Sequence, residues 1–67
     1  MSRYGRLTQS QIQEFARLVA EAKADNDNPR LISLAVSLAG WGMSTFEVAD
    51  FIGRSKEWLR EYAGFAR

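Results

Sequence analysis

Residues 44–62 contain two short amphipathic segments that meet at a glycine, and this arrangement strongly limits how the chain can fold. Gly53 can adopt the left-handed backbone conformation that ends a helix at little steric cost. Ser55 follows it and is a suitable N-cap for the next helix. The pattern therefore predicts a tight pair of helices, the first capped by Ser44 and ending at Ile52, the second beginning at about Ser55.

The N-terminal half of the chain predicts two further helices. Thr8 and Ser10 each stand three residues before a glutamine, the spacing of a capping box, so the first helix starts at one of them and ends near Ala24. A polar turn follows, after which Asn28 is predicted to cap a second helix over residues 29–39. That helix is apolar on most sides, which predicts a central position.

The four predicted helices and the length of the chain together predict the fold class. The chain has 67 residues, 46% of them hydrophobic, and no strand signal. We therefore predict one all-α domain over residues 1–67, a compact bundle of about four short helices, with residues 1–7 as a flexible basic arm. A chain of this length buries only about 60% of the surface that its unfolded form exposes, so dimerisation is the expected further support.

Several classes of function are disfavoured by the composition. The chain has no cysteine and no histidine, so it lacks thiolate ligands, the commonest general base and the commonest nitrogen ligand for metals. We expect no enzyme, no metal and no cofactor. Its longest apolar stretch, residues 31–43, is shorter than the roughly 20 residues of a membrane span, and no secretion signal is recognisable. A cytoplasmic protein with no membrane partner is expected.

The spacing within residues 44–63 resembles the helix-turn-helix of small bacterial and phage transcriptional regulators. Ala49 stands four residues before Gly53, where the family has a small side chain because the two helices cross there. Arg54 is a departure, since the family usually has an apolar residue after the glycine. The positions that the family keeps apolar, for packing on the rest of the domain, are Val48, Ile52, Leu59 and Tyr62. The alternative is an ordinary helical hairpin in which the glycine merely stops a helix.

The resemblance implies a homodimeric repressor that binds an inverted repeat in double-stranded DNA, of the kind found in phages and mobile elements, including repressors associated with anti-CRISPR genes. In that family the start and outward face of the second helix enter the major groove. The implied DNA contacts are Arg54, Ser55, Lys56, Glu57, Arg60 and Glu61. Ser44 and Thr45, at the start of the preceding helix, and Arg3 and Arg6, in the arm, are further candidates for phosphate or minor-groove contacts.

The chemistry of these side chains differs. Arg60 could read guanine through two hydrogen bonds, Lys56 could contact phosphate or guanine, and Glu57 could accept a hydrogen bond from cytosine N4. Helical spacing places Lys56 and Arg60 one turn apart on the outward side, where neither should matter to folding. The net charge is only +1, so affinity for DNA must come from the placement of charge. The alternative is a solvated face on which acids and bases balance.

Aromatic residues are unusually numerous near the C-terminus. Trp58, Tyr62 and Phe65 cluster on one flank of the fourth helix, and with Leu18 they form a predicted dimer interface, with core packing as the alternative for each ring. The same rings support a rival function: a small protein-binding module, such as a phage inhibitor that occupies a host protein through an aromatic helix face.

Overall fold

The computed structural model describes residues 7–65, which form four α-helices and no strand. The predicted all-α fold class is confirmed, and so is the predicted number of helices. In chain order the helices are α1 Gln9–Ala24, α2 Asn28–Gly40, α3 Thr45–Ile52 and α4 Lys56–Tyr62.

Three of the helices begin at hydroxyl caps that the sequence predicts. Thr8 accepts a hydrogen bond from the Gln11 amide at 3.2 Å, and the Gln11 side chain accepts one from the Thr8 amide at 2.9 Å. This capping box places the start of α1 at Thr8 rather than at Ser10. Ser44 caps α3 in the same way with Glu47 as its partner. Ser55 caps α4, as predicted.

The second helix begins differently from the prediction. Its N-cap is Asp27, and Asn28 is already the first helical residue, so the prediction of Asn28 as the cap was wrong. The Asp27 carboxylate accepts a hydrogen bond from the Arg30 amide at 3.1 Å. An aspartate cap satisfies that amide with a charged acceptor, and it still leaves Pro29 in the first turn, where its missing N–H costs nothing.

The second helix packs against all three other helices, as α3 also does, and its packing on α1 is the most extensive in the bundle. It buries Leu31, Ala35 and Leu38, which recur at helical spacing. The other helices supply the remaining helical core residues: Val19, Ala22, Val48, Ala49, Ile52 and Leu59. One part of α2 faces outward, since Val36 is 51% exposed. The predicted central position, with neighbours on more than one face of the helix, is therefore confirmed.

The boundary of the predicted N-terminal arm needs a correction. Leu7 was expected to belong to a flexible arm, but its side chain is only 3% exposed and forms part of the core. Burial of an apolar side chain removes it from water and fixes the backbone that carries it. Arg3 and Arg6, the predicted DNA contacts of the arm, lie outside the described residues. Within residues 7–65 no helix has both the length and the hydropathy of a membrane span.

The core predicts a sharp contrast between two positions on α2. We expect Leu38→Ala to lower the free energy of unfolding by about 2–5 kcal/mol, because it opens a cavity at a fully buried position. The control Val36→Ala, on the exposed side of the same helix, should change it by less than about 0.5 kcal/mol. Urea denaturation followed by circular dichroism measures both, and equal losses for the two variants would contradict the central position of α2.

Candidate nucleic-acid interface

The connection between α3 and α4 is a three-residue turn built on Gly53. This glycine has φ 71° and ψ 33°, the left-handed conformation that the sequence predicts. The Gly53 and Arg54 amides both donate to the Ala49 carbonyl oxygen, at 3.0 and 3.1 Å, and these bonds close the end of α3. Arg54 thus takes part in a regular helix end. Ser55 then caps α4, and its hydroxyl accepts a hydrogen bond from the Trp58 amide at 3.0 Å.

A lysine from α1 lies beside this turn. A Cβ atom added to Gly53 would stand 2.7 Å from the Nζ atom of Lys23, so the ammonium group lies against the glycine backbone. Lys23 was not among the predicted site residues. Its proximity arises from the packing of α1 on α3, and no local pattern in the sequence indicates such a contact.

Two cations of the α3–α4 turn lie over aromatic rings. The Nζ atom of Lys56 is 4.9 Å from the centroid of the Phe46 ring, and the guanidinium carbon of Arg54 is 5.8 Å from that of Trp58. Cation–π contacts of this length restrain a long side chain and leave its charge available. Phe46 itself is 68% exposed. The sequence shows Phe46 as one of several aromatic residues, and nothing in it predicts that this ring contacts Lys56.

The same residues surround an open pocket of about 330 Å³ between α3 and α4, called the turn pocket below. Phe46 and Ala49 give it apolar walls, and Gly53 contributes bare backbone. Arg54 and Lys56 also line it. The remaining lining residues are Asp50 and Ser55. A concave, mostly apolar surface with a few charged groups is typical of a ligand site.

The outward face of α4 is more acidic than expected. Glu57 and Glu61 are exposed, whereas Lys56 and Arg60 are half-buried, so the two cations are less exposed than an outward position predicts. The Arg60 side chain is 35% exposed and its Nη1 atom lies 3.7 Å from Glu57 Oε2. Its Nε atom is shielded from solvent and has no hydrogen-bond partner among the described residues. The long side chain therefore lies along the protein surface and does not extend from it.

The predicted DNA contacts of α3 and α4 do not all lie at one place in the structure. Arg54, Ser55 and Lys56 meet at the turn pocket. Ser44 and Thr45 lie at the opposite end of α3, where the Ser44 hydroxyl accepts its capping bond from Glu47.

The predicted dimer interface is divided as well. Trp58 and Phe65 are half-buried and pack against the core, which favours the core-packing alternative for these two rings. Tyr62 is 58% exposed, and its ring centroid lies 5.5 Å from that of Trp58. The expectation that Tyr62 packs on the rest of the domain was wrong, since α4 ends at this residue and turns its ring toward solvent. Leu18 is half-buried on α1.

No protein-family model, curated protein or solved structure significantly matches this chain. Within residues 7–65 no group of three or more acidic, histidine or cysteine side chains could hold a metal ion. The turn pocket and the charges around it are therefore the features that indicate a function.

The turn geometry predicts opposite effects at two glycines. We expect Gly53→Ala to destabilise the fold by about 1–2 kcal/mol, because alanine is strained in the left-handed conformation and its Cβ would contact Lys23. The control Gly40→Ala, at the end of α2 with open space around it, should stabilise by about 0.4–1 kcal/mol. Thermal unfolding measures both.

The same experiment shows which cause of strain dominates at Gly53. The Lys23 ammonium group is the end of a flexible side chain and can move aside at little cost, so adding Lys23→Ala to Gly53→Ala should leave most of the loss in place. A loss that Lys23→Ala largely removes would show that the steric contact, and not the backbone conformation, limits this position.

Proposed function

We propose that the protein binds double-stranded DNA as a sequence-specific homodimeric repressor and that it approaches the DNA with the α3–α4 turn. One observation carries this proposal. Lys23, Arg54 and Lys56 gather at the turn, and within residues 7–65 none of the three forms an ion pair with a carboxylate. Cations that lack a carboxylate partner attract a polyanion, and each phosphate that they neutralise releases counterions.

The distribution of acids supports an approach through the turn. Glu57 and Glu61 lie exposed on the outward face of α4 and would repel phosphates if that face entered the groove first. The flank that carries Lys56 avoids this repulsion. In this orientation Arg54 and Lys56 contact the phosphates of the DNA backbone, and Lys23 adds a third cation from α1. A net charge of +1 is then sufficient, because Lys23, Arg54 and Lys56 lie together at the turn.

The dimensions of the helices suit a duplex. With its side chains a helix such as α4 is about 10–12 Å across, which fits the roughly 12 Å width of the major groove. Arg60 reads a guanine only after it leaves Glu57, whose carboxylate is 3.7 Å away. Phosphate contacts from the turn therefore supply most of the affinity, and base contacts supply selectivity.

A second copy of the chain would double these contacts. In the proposed dimer, Tyr62 and Leu18 contribute to the interface, because Tyr62 presents a large exposed ring. To bind half-sites one helical turn apart, the dimer would have to place its two equivalent turns about 34–36 Å apart.

A protein-binding module is the second candidate, and a specific observation favours it. Phe46 and Tyr62 both expose large rings, a property of surfaces that bind other proteins. An aromatic interface depends weakly on salt, whereas binding to DNA weakens steeply as salt rises.

The proposal predicts how single charges affect DNA binding. Lys56→Ala and Arg54→Ala should each weaken binding to all duplexes alike and reduce the slope of log affinity against log salt by about one unit per phosphate contact. The control Arg17→Ala removes the same charge from a position where the guanidinium is already paired with Glu14 and Glu21, and it should leave the slope unchanged. Fluorescence anisotropy with labelled duplexes at several salt concentrations measures the slope.

If the double variant Arg54→Ala/Lys56→Ala keeps the DNA affinity and the salt slope of the wild-type protein, the turn does not contact DNA. Tight binding of a host protein with little salt dependence, together with an absence of DNA binding, would establish the second candidate instead.

The proposed assembly gives a further prediction. Light scattering at micromolar concentration should return twice the 7.6 kDa mass of one chain. Tyr62→Ala should shift the equilibrium toward single subunits, because it removes a large apolar contact. The control Phe46→Ala removes a similarly exposed ring from outside the predicted interface and should leave the mass unchanged. A single-chain mass for the wild-type protein at all accessible concentrations would contradict the dimer.

A further inference from the structure

The turn pocket combines an apolar ring with surrounding positive charge. Phe46 is the most exposed of the large hydrophobic side chains among the described residues, and Lys56 lies over its ring. An isolated exposed ring needs no explanation. This one, however, lines a concave surface together with Ala49 and bare backbone at Gly53.

The charges around the pocket indicate which part of a DNA duplex fits it. Arg54 and Lys56 line it and Lys23 lies beside Gly53, so phosphates are attracted to its surroundings. Asp50 and Ser55 complete the lining. The apolar surface of Phe46 and Ala49 favours an uncharged, apolar group in the interior.

In the major groove of DNA only one base presents such a group, because thymine carries a C5-methyl that the other bases lack. Phenylalanine and alanine side chains are among those that contact this methyl group. We propose that the turn pocket receives the C5-methyl group of a thymine and that Phe46 is a specificity-determining residue. This inference rests on the proposed DNA binding and names the base that the turn recognises.

The arrangement accounts for the roles of the neighbouring residues. The phosphates that flank the thymine contact Arg54 and Lys56, which fix the position of the duplex relative to the pocket. Lys56 covers part of the Phe46 ring, and the rest of the ring contacts the methyl group. Gly53 has no side chain of its own at the pocket, and the Lys23 ammonium group beside it is the end of a flexible side chain that can move toward a phosphate.

The test removes one methyl group at a time. A preferred duplex is first selected from random-sequence DNA, and each of its thymines is then replaced singly by deoxyuridine. We expect roughly a fourfold loss of affinity at one thymine in each half-site, the effect of about one buried methyl group, and little loss elsewhere. Phe46→Ala should abolish this sensitivity to deoxyuridine. The control Trp41→Ala, which removes an exposed ring from outside both the turn pocket and the proposed dimer interface, should retain it.

The outcomes separate the inference from the proposed function. If the protein binds a selected duplex but no single thymine can be identified, or if Phe46→Ala keeps the same sensitivity, the inference is overturned while DNA binding stands. If the wild-type protein binds no duplex even at low salt, both fail. A thermal melt of Phe46→Ala shows whether the variant is folded, and its exposed position predicts that it is.

Discussion

The packing of α2 against the other three helices is the interaction on which the rest of the structure depends. A helix as short as α4, with seven residues, is not stable alone in water. It is held by Leu59, which is fully buried and belongs to the same core as Leu38 of α2. The turn pocket therefore exists only while that core is intact, and the positions of Arg54 and Lys56 depend on residues that no ligand touches.

The features that the sequence predicts well are local ones. Each capping bond from Thr8, Ser44 and Ser55 spans three residues, and the left-handed turn requires only the glycine at position 53. The cap of α2 was misplaced by one residue because Asp27 and Asn28 have similar capping preferences, and the polar run allows either register. The central position of α2 follows from its composition, since a helix that is apolar on most sides must be covered by neighbours.

The site is less predictable because tertiary packing assembles it. Phe46 and Lys56 are ten positions apart on different helices, and Lys23 comes from a third. Helical spacing gives the direction of the Cα–Cβ bond, but it does not determine where the charged end of a long side chain lies. Arg60 illustrates the difference: its spacing indicates an outward position, whereas its guanidinium group lies near Glu57 and only 35% of the side chain is exposed. Spacing places Glu57 and Glu61 on the outward face, but it does not show that the cations beside them are half-buried.

The short connections between the helices determine whether a subunit folds before or after it meets a second copy. The helices are joined by three or four residues, and contacts between consecutive helices predominate, so most native contacts are local. Helical proteins with such low contact order fold in microseconds to milliseconds. Association of two subunits at about 10⁶ M⁻¹s⁻¹ takes on the order of a second at micromolar concentration. Each subunit would therefore complete its own fold before it meets a second copy, and the proposed dimer would assemble from preformed surfaces.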